Sequence, residues 1–363
     1  MFKAAKTVDF LFLTYYTDDS KQRKRLSSLI RLYFPLYLSR RSVSFSALRT
    51  ERPINFLCRR RAAEWMIVME KFDSLIIGEV AQDTNVDFDG TVVQAVGGAV
   101  YYSGCAAANM GHKIAVLPKA DLSQLDVTAA FHEKAPSISV FPLNSPHSFV
   151  TKNVYHTADR ERRTSTVDSL IAPYTTDEVP VDQIDAAIWH LAGLAGSDIP
   201  NEMIPFAAKH AMVAIDVQTM LRWVENGGMV YHDWKEKKEL LPYIRFLKTD
   251  AAEAEILTGL TDRAEAAKVL YGWGAKEILI THNTEVLVYD GHEIYTCPIK
   301  ARNLSGRTGR GDTTFAGYIN ERLTKDIPTA LQTATALVSL KMETPGPFTG
   351  TRQDVEDYIK LMY

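Results

Sequence analysis

With 363 residues, 46% of them apolar and 23% charged, the chain has the composition of a folded protein with a sizeable core, in one large domain or two smaller ones. No uncharged apolar run reaches the length of a membrane-spanning helix, and outside the N-terminal segment the balance is acidic, so neither a membrane nor a nucleic acid is an expected partner. Cys58, Cys105 and Cys297 form no CxxC pair and the nine histidines no HExxH, so a reduced, cytoplasmic protein without a transition-metal site is expected.

Residues 1–65 carry 14 basic against 5 acidic side chains, a net of +9, whereas the remainder nets −12. Their basic clusters (Lys21-Gln22-Arg23-Lys24-Arg25, Arg40-Arg41, Arg59-Arg60-Arg61) show no alternation of strand and helix. The expectation is an atypical extension upstream of a true start at Met66 or Met69. A transit peptide and a basic binding arm are the alternatives.

From Phe72 the pattern is regular. Leu75-Ile76-Ile77-Gly78 reads as a buried strand, and Val86–Val93, turning at Asp89-Gly90, as a hairpin. Gly97-Gly98 opens a small-residue helix that runs to Met110 and stops at Gly111. Ile114–Leu117 is the next strand, with a helix expected over Leu122–Phe131. Further strands fall at Ala186–Leu191, Met212–Ile215 and Ile244–Leu247, with helices near Glu202–His210 and Trp234–Leu241. This alternation predicts an α/β fold with a mostly parallel sheet covered on both faces. Glu277–Thr281, Val286–Tyr289 and Glu293–Thr296 then form an antiparallel meander, followed by helices near Gly311–Leu323, Thr329–Met342 and Gln353–Met362. Ser148–Thr166 alternates polar and apolar residues around a charged turn. With the Val86–Val93 hairpin it predicts a small β lid, over about 84–96 and 147–168.

The chemistry concentrates in Gly306-Arg307-Thr308-Gly309-Arg310-Gly311-Asp312-Thr313. Its spacing nearly fits the phosphate-binding pattern GxxxxGK[ST], but Asp312 stands where the lysine belongs, and a carboxylate there would repel phosphate. Glycines 309 and 311 instead allow a sharp turn that offers N–H groups to an anion at a helix start. A carboxylate at the same end can take the proton of an attacking hydroxyl. The plain alternative is a glycine-rich helix cap with Asp312 favourable to the dipole.

The run Thr308–Thr313 resembles the second signature of the PfkB, or ribokinase-like, carbohydrate kinases, written D-T-x-G-A-G-D. That resemblance implies an anion hole at Gly309, Arg310 and Gly311, with Asp312 as catalytic base. Arg307 replaces the usual first aspartate and Arg310 the usual alanine. Gly97-Gly98 resembles the first signature, and Asp83 the aspartate that holds substrate hydroxyls. Asp250-Ala-Ala-Glu253 resembles an N-x-x-E motif, which implies an ATP- and Mg²⁺-associated role for Asp250 and Glu253, with the glutamate's link to the metal indirect. Taken alone, Asp250 and Glu253 read as a capped helix start. Tyr102 departs from an expected asparagine on the sugar side. Thr281-His282-Asn283-Thr284-Glu285 departs from the glycine pattern on the nucleotide side, where Thr281 is the remaining candidate for ATP contact.

Val230-Tyr-His-Asp-Trp234, Gly306–Thr313 and Lys341-Met-Glu-Thr-Pro-Gly-Pro347 resemble a prokaryotic subgroup that includes myo-inositol kinases. The implied function is an ATP-dependent kinase for a hydroxyl of a small sugar or polyol. The implied cofactors are ATP and Mg²⁺, with K⁺ as a further candidate, and a homodimer is the candidate assembly. The alternatives are a fructokinase-, ribokinase- or nucleoside-kinase-like activity, and a catalytically silent regulator.

Overall fold

The computed structural model of the protein describes residues 70–157 and 163–363. The expectations placed on residues 1–65 lie outside the described residues. β1 (Glu70–Glu79) carries Leu75, Ile76 and Ile77, each 0% exposed. Both of its faces are covered, which is why it reads as an unbroken apolar run. Each such side chain contributes about 1.5–3 kcal/mol by leaving water. β2 (Ala81–Val86) and β3 (Val92–Gly97) form the expected hairpin and extend beyond its sequence signal, back to Ala81 and on to Gly97. α1 (Ala99–Asn109) starts on Gly98, and β4 (Ile114–Ala120) pairs parallel to β1.

The helix expected over Leu122–Phe131 begins later, as α2 (Val127–Lys134). Asp121 accepts from the N–H and hydroxyl of Ser123, which fixes a turn, and Asp126 caps the helix by accepting from Ala129 N. β5 (Ser139–Val140) and β6 (Leu143–Asn144) are short partners of β4. β7 (Phe149–Tyr155) runs parallel to β2 and antiparallel to β8 (Arg163–Ser169).

β9 (Ile184–Leu191), α3 (Met203–Ala207), β10 (Met212–Asp216) and α4 (Gln218–Leu221) follow. β11 (Arg222–Glu225) and β12 (Gly228–Tyr231) then form a hairpin that the sequence reading did not assign. Its turn is Asn226-Gly227, both at positive φ (51° and 77°), the dipeptide that suits a tight hairpin of this hand. The helix expected over Trp234–Leu241 narrows to α5 (Lys237–Leu240), ahead of Pro242. Then come β13 (Ile244–Asp250), α6 (Ala251–Thr258), α7 (Arg263–Gly272), β14 (Glu277–Thr281), β15 (Glu285–Tyr289) and β16 (Ile294–Pro298). The chain ends in α8 (Arg310–Glu321), α9 (Ile327–Lys341) and α10 (Arg352–Met362).

The main sheet has the order β16-β15-β14-β13-β10-β9-β1-β4-β5, parallel except for the antiparallel β14-β15-β16 meander. A second sheet, β11-β12-β8-β7-β2-β3, forms the lid. No helix among the described residues is long and apolar enough to cross a membrane. Cys105 and Cys297 are buried and unbridged.

Candidate active site

Ligands of open α/β sheets sit beyond the carboxyl ends of the parallel strands. Here that end opens into a cleft of about 890 Å³ between the main sheet and the lid. Lys248, Asp250 and Thr281 line it from β13 and the end of β14, Gln218 from the start of α4, and the segment 304–312 lines it ahead of and within α8. The lid contributes Asp83 and Asn85 from β2, Thr151 and Asn153 from β7, Ser165 from β8, and Met229 and Tyr231 from β12.

Gly309 is the N-cap of α8 in the left-handed conformation (φ 74°), with no side chain capping the helix. A Cβ there would fall 2.2 Å from the ring of Tyr102, so only glycine fits on both counts. The first N–H groups of an α-helix have no intrahelical carbonyl, and with the positive end of the dipole they favour an anion. Lys248 strengthens that preference from below. It is 4% exposed, its Nζ lies 2.8 Å from Asp216 Oδ2, and a Cβ on Gly311 would stand 3.1 Å from it. Burial would depress the Lys248 ammonium, but Asp216 and Glu253 outweigh it and keep the amine protonated. Arg307 and Arg310 line the same loop, and Arg310 Nη1 donates to Asn283 Oδ1 at 2.9 Å, just beyond β14.

Asp312 sits in the first turn of α8, facing the cleft. Burial raises its carboxyl above the usual range, and the opposing pull of Lys248, Arg222 and Lys341 does not cancel that rise. A carboxylate with raised proton affinity beside a helix start can accept a proton from a hydroxyl and leave the amides to an anion. Across the cleft, Thr151 Oγ1 donates to Asp83 Oδ1, and a Cβ on Gly97 would meet Asp83 Oδ2 at 2.3 Å. Gly97 therefore clears space for the Asp83 carboxylate. Tyr102, 6% exposed, lines the same cleft: burial first, then Asp83 and Asp312, push its phenol upward.

Of the residues singled out in the sequence, Asp83, Gly98, Asp250, Thr281, Gly309, Arg310, Gly311 and Asp312 share this one cleft, with Gly97 directly behind Asp83. Glu253 does not line it. It is 1% exposed; Oε1 takes Arg222 Nη2 at 3.1 Å and Oε2 takes the N–H of Asp250 at 2.9 Å. Asp250 Oδ1 in turn accepts from Glu253 N at 2.8 Å, so the capped helix start anticipated for this pair is present. Among the described residues no group of three or more His, Cys, Asp or Glu side chains could hold a metal. With Glu253 and Asp216 committed to Arg222 and Lys248, these side chains do not fit a protein-built Mg²⁺ socket.

Two features escaped the sequence reading. One is the cation set of Arg222, Lys248 and Lys341. A lysine inside the apolar run Ile244-Arg-Phe-Leu-Lys248 was the available signal, since buried lysines are rare unless paired. The other is a polar ladder on the lid, where Asn153 Nδ2 donates to Asn85 Oδ1 at 3.2 Å and Ser165 Oγ to Asn153 Oδ1 at 2.7 Å. These residues are cross-strand partners, Asn85 with Asn153 and Asn153 with Ser165, so they share one face.

The family described as pfkB family carbohydrate kinase matches residues 147–353. Among solved structures, the chain is similar to a sulfate complex of a pyrophosphate-dependent kinase in the ribokinase family, with TM-score 0.71 and 32% identity over 78% of this chain and 99% of that one. A pyrophosphate-dependent kinase in the ribokinase family complexed with a pyrophosphate analog and myo-inositol superposes with TM-score 0.70 and 31% identity over 78% and 99%. Among characterised proteins, a cytidine kinase of Thermococcus kodakarensis is 24% identical over 266 residues, 68% of this chain and 87% of that protein. A ribokinase-like sheet, a glycine-rich helix start beside a carboxylate and a family match across more than half the chain lead to one conclusion: the chain belongs to the pfkB family of carbohydrate kinases, phosphotransferases that act on hydroxyl acceptors.

Proposed function

We propose that the protein transfers a phosphoryl group from inorganic pyrophosphate to a hydroxyl of a cyclic polyol of the myo-inositol class. The observation that carries this reading is the pairing of a cation-rich anion loop with a lid face of amides and hydroxyls. On the donor side, Lys248, Arg307 and Arg310 surround the start of α8, and the Arg310 guanidinium bridges to Asn283. Fixed guanidinium and ammonium groups suit a small donor of concentrated charge. The similarity to pyrophosphate-dependent kinases at about one residue in three supports the same donor. On the acceptor side, Asp83, Asn85, Thr151, Asn153 and Ser165 offer donors and acceptors at alternate rungs of one lid face. A ring bearing hydroxyls all round can use such a ladder without an anomeric or base anchor.

In the proposed reaction Asp312 accepts the proton of the acceptor hydroxyl as that oxygen attacks the terminal phosphorus. The bond from that phosphorus to the bridging oxygen breaks and orthophosphate leaves. The N–H groups at the start of α8 and the Lys248 ammonium stabilise the charge on the transferring group. Mg²⁺ would enter with the donor as its counter-ion, with Glu253 acting behind it through Arg222 and Lys248. The open edge of the lid at β3, with Val92 and Val93 more than half exposed, suits self-pairing of two lids as the homodimer.

A second reading keeps ATP as donor, with a sugar or nucleoside as acceptor. The size of the cleft favours it, since about 890 Å³ would hold a nucleotide and an acceptor together. The deciding experiment crosses pyrophosphate and ATP with myo-inositol, other polyols, hexoses, pentoses and nucleosides. Phosphorylation of myo-inositol with pyrophosphate is expected. Turnover with ATP alone overturns the donor, and selectivity for a furanose or nucleoside overturns the acceptor. No turnover of any pair, with donor still bound, would support the silent regulator.

A further inference from the structure

Lys341 is the last residue of α9 and is 2% exposed. Its ammonium is met by main-chain oxygens: Nζ donates to the carbonyl of Gly306 at 2.6 Å and to the carbonyl of Thr308. The Tyr102 ring covers it, with the centroid 5.1 Å from Nζ. Two carbonyls and an aromatic face make a setting for a bare monovalent cation. The same loop is tied back to the end of α9, because Gly306 N donates to Met342 O at 2.7 Å. A Cβ on Gly306 would overlap the carbonyl of Thr344, so the two segments are in direct contact. Gly309, whose conformation opens the helix start to an anion, follows Thr308 and packs on Tyr102.

We infer that the Lys341 ammonium is a tethered monovalent cation that holds the 306–308 carbonyls and thereby sets the anion loop, so that the enzyme needs no K⁺ for activity. A K⁺, the further candidate cofactor, does not fit at the Gly306 and Thr308 carbonyls, because Nζ already occupies both. A covalently supplied cation spares the protein the entropic cost of capturing one from solution. Burial lowers the Lys341 ammonium to about 8 against the pull of the Asp312 carboxylate. Lys341 is thus a positioning residue: it acts on the phosphoryl group through the loop. The inference rests on that loop's role in phosphoryl transfer, and on neither the donor nor the acceptor proposed above.

The test uses the full chain in tetramethylammonium buffer, a cation too large for the site, with and without added KCl or NH₄Cl. Wild-type turnover is expected to change by less than roughly twofold, and its affinity for pyrophosphate or sulfate, read by calorimetry, to stay level. Lys341→Met keeps the apolar stem and removes the charge. Its turnover and anion affinity are expected to fall roughly tenfold or more and to recover substantially on adding K⁺ or NH₄⁺. A purely structural lysine would give a loss that no small cation repairs. Strong stimulation of the wild type by K⁺ overturns the inference, as does a Lys341→Met enzyme that is fully active without small cations or stays impaired in their presence. If Lys341→Met fails to fold, Lys341→Gln carries the same comparison. The anion-binding arm remains informative even if the acceptor assignment fails.

Discussion

Replacing Asp312 by asparagine keeps the size of the side chain and its position at the start of α8 while removing its ability to take a proton. The carboxyl is already raised by burial, and Lys248, Arg222 and Lys341 hold positive charge around it. A positioned general base contributes about 10²–10⁴-fold to turnover, or roughly 3–5 kcal/mol of barrier. Asp312→Asn should therefore lower kcat by that factor. Donor binding should move the other way, if at all, because deleting a negative charge beside three cations leaves more of their field for the donor anion. The assay pairs phosphate release at saturating acceptor with calorimetric donor binding on the same preparation. The wild-type kcat/KM should also fall off on its acidic limb at a pH above the usual aspartate range, a limb that Asp312→Asn should lose. The group must be deprotonated to act, and its proton affinity is raised in the folded enzyme. An Asp312→Asn enzyme within roughly tenfold of wild type, or one that loses donor binding in proportion to turnover, would refute the base assignment.

Gly309→Ala tests the anion loop. An alanine at φ 74° costs about 1–2 kcal/mol, and its Cβ would strike the Tyr102 ring at 2.2 Å, so thermal denaturation should show a fall of several degrees and turnover should collapse; unchanged values for both would contradict the loop geometry. Glu321 supplies a prediction about pH and stability. Burial alone would raise its carboxyl, but hydrogen bonds with His112 and Arg352 outweigh burial and pull it down to about 2. Because the folded-state value is depressed, its stabilisation is present above about 4.5 and is lost as pH falls toward 2. Glu321→Gln should cost roughly 3 kcal/mol at neutral pH and flatten the acid limb of stability, measured by denaturant titration between those limits. An acid limb identical to the wild type's would rule out this carboxylate as its source.

The main sheet was legible because its strands are buried on both faces, so Leu75-Ile76-Ile77 and Leu279-Ile280 announce themselves as apolar runs between glycines and helices. The lid was half legible. Its β2–β3 turn carries Asp89-Gly90, whereas β11–β12 was passed over although Asn226-Gly227 carries the same kind of signal, because its strands are only four residues long. Helix starts were misjudged where an aspartate preferred a turn, as Asp121 does with Ser123. Asp312, Gly309 and Gly311 stood out because glycine spacing and a misplaced carboxylate are properties of a short segment. Lys248, Arg222 and Lys341 did not, because their partners are 5 to 35 positions away and only the fold brings them together.

That difference bears on how the site works. The local part, a glycine turn at a helix start, binds anions in many unrelated proteins and fixes no donor. What distinguishes this cleft is long-range: Lys248 reaches up from β13 behind Gly311, Lys341 reaches from the end of α9 to the carbonyls of Gly306 and Thr308, and Arg310 leans out to Asn283. Glu253, the acid that the sequence motif linked to Mg²⁺, pairs instead with Arg222 and lies near Lys248, and Asp216 pairs with Lys248, so these two acids keep Lys248 and Arg222 charged and in place. Each cation is anchored by protein atoms on a rigid element, so little reorganisation is needed when charge moves between donor and acceptor. The Asp312 carboxylate is the one acid at the loop that faces the cleft with raised proton affinity. In the proposed reaction, a cleft so arranged would commit its positive charge to the donor and keep its proton acceptor for the incoming hydroxyl.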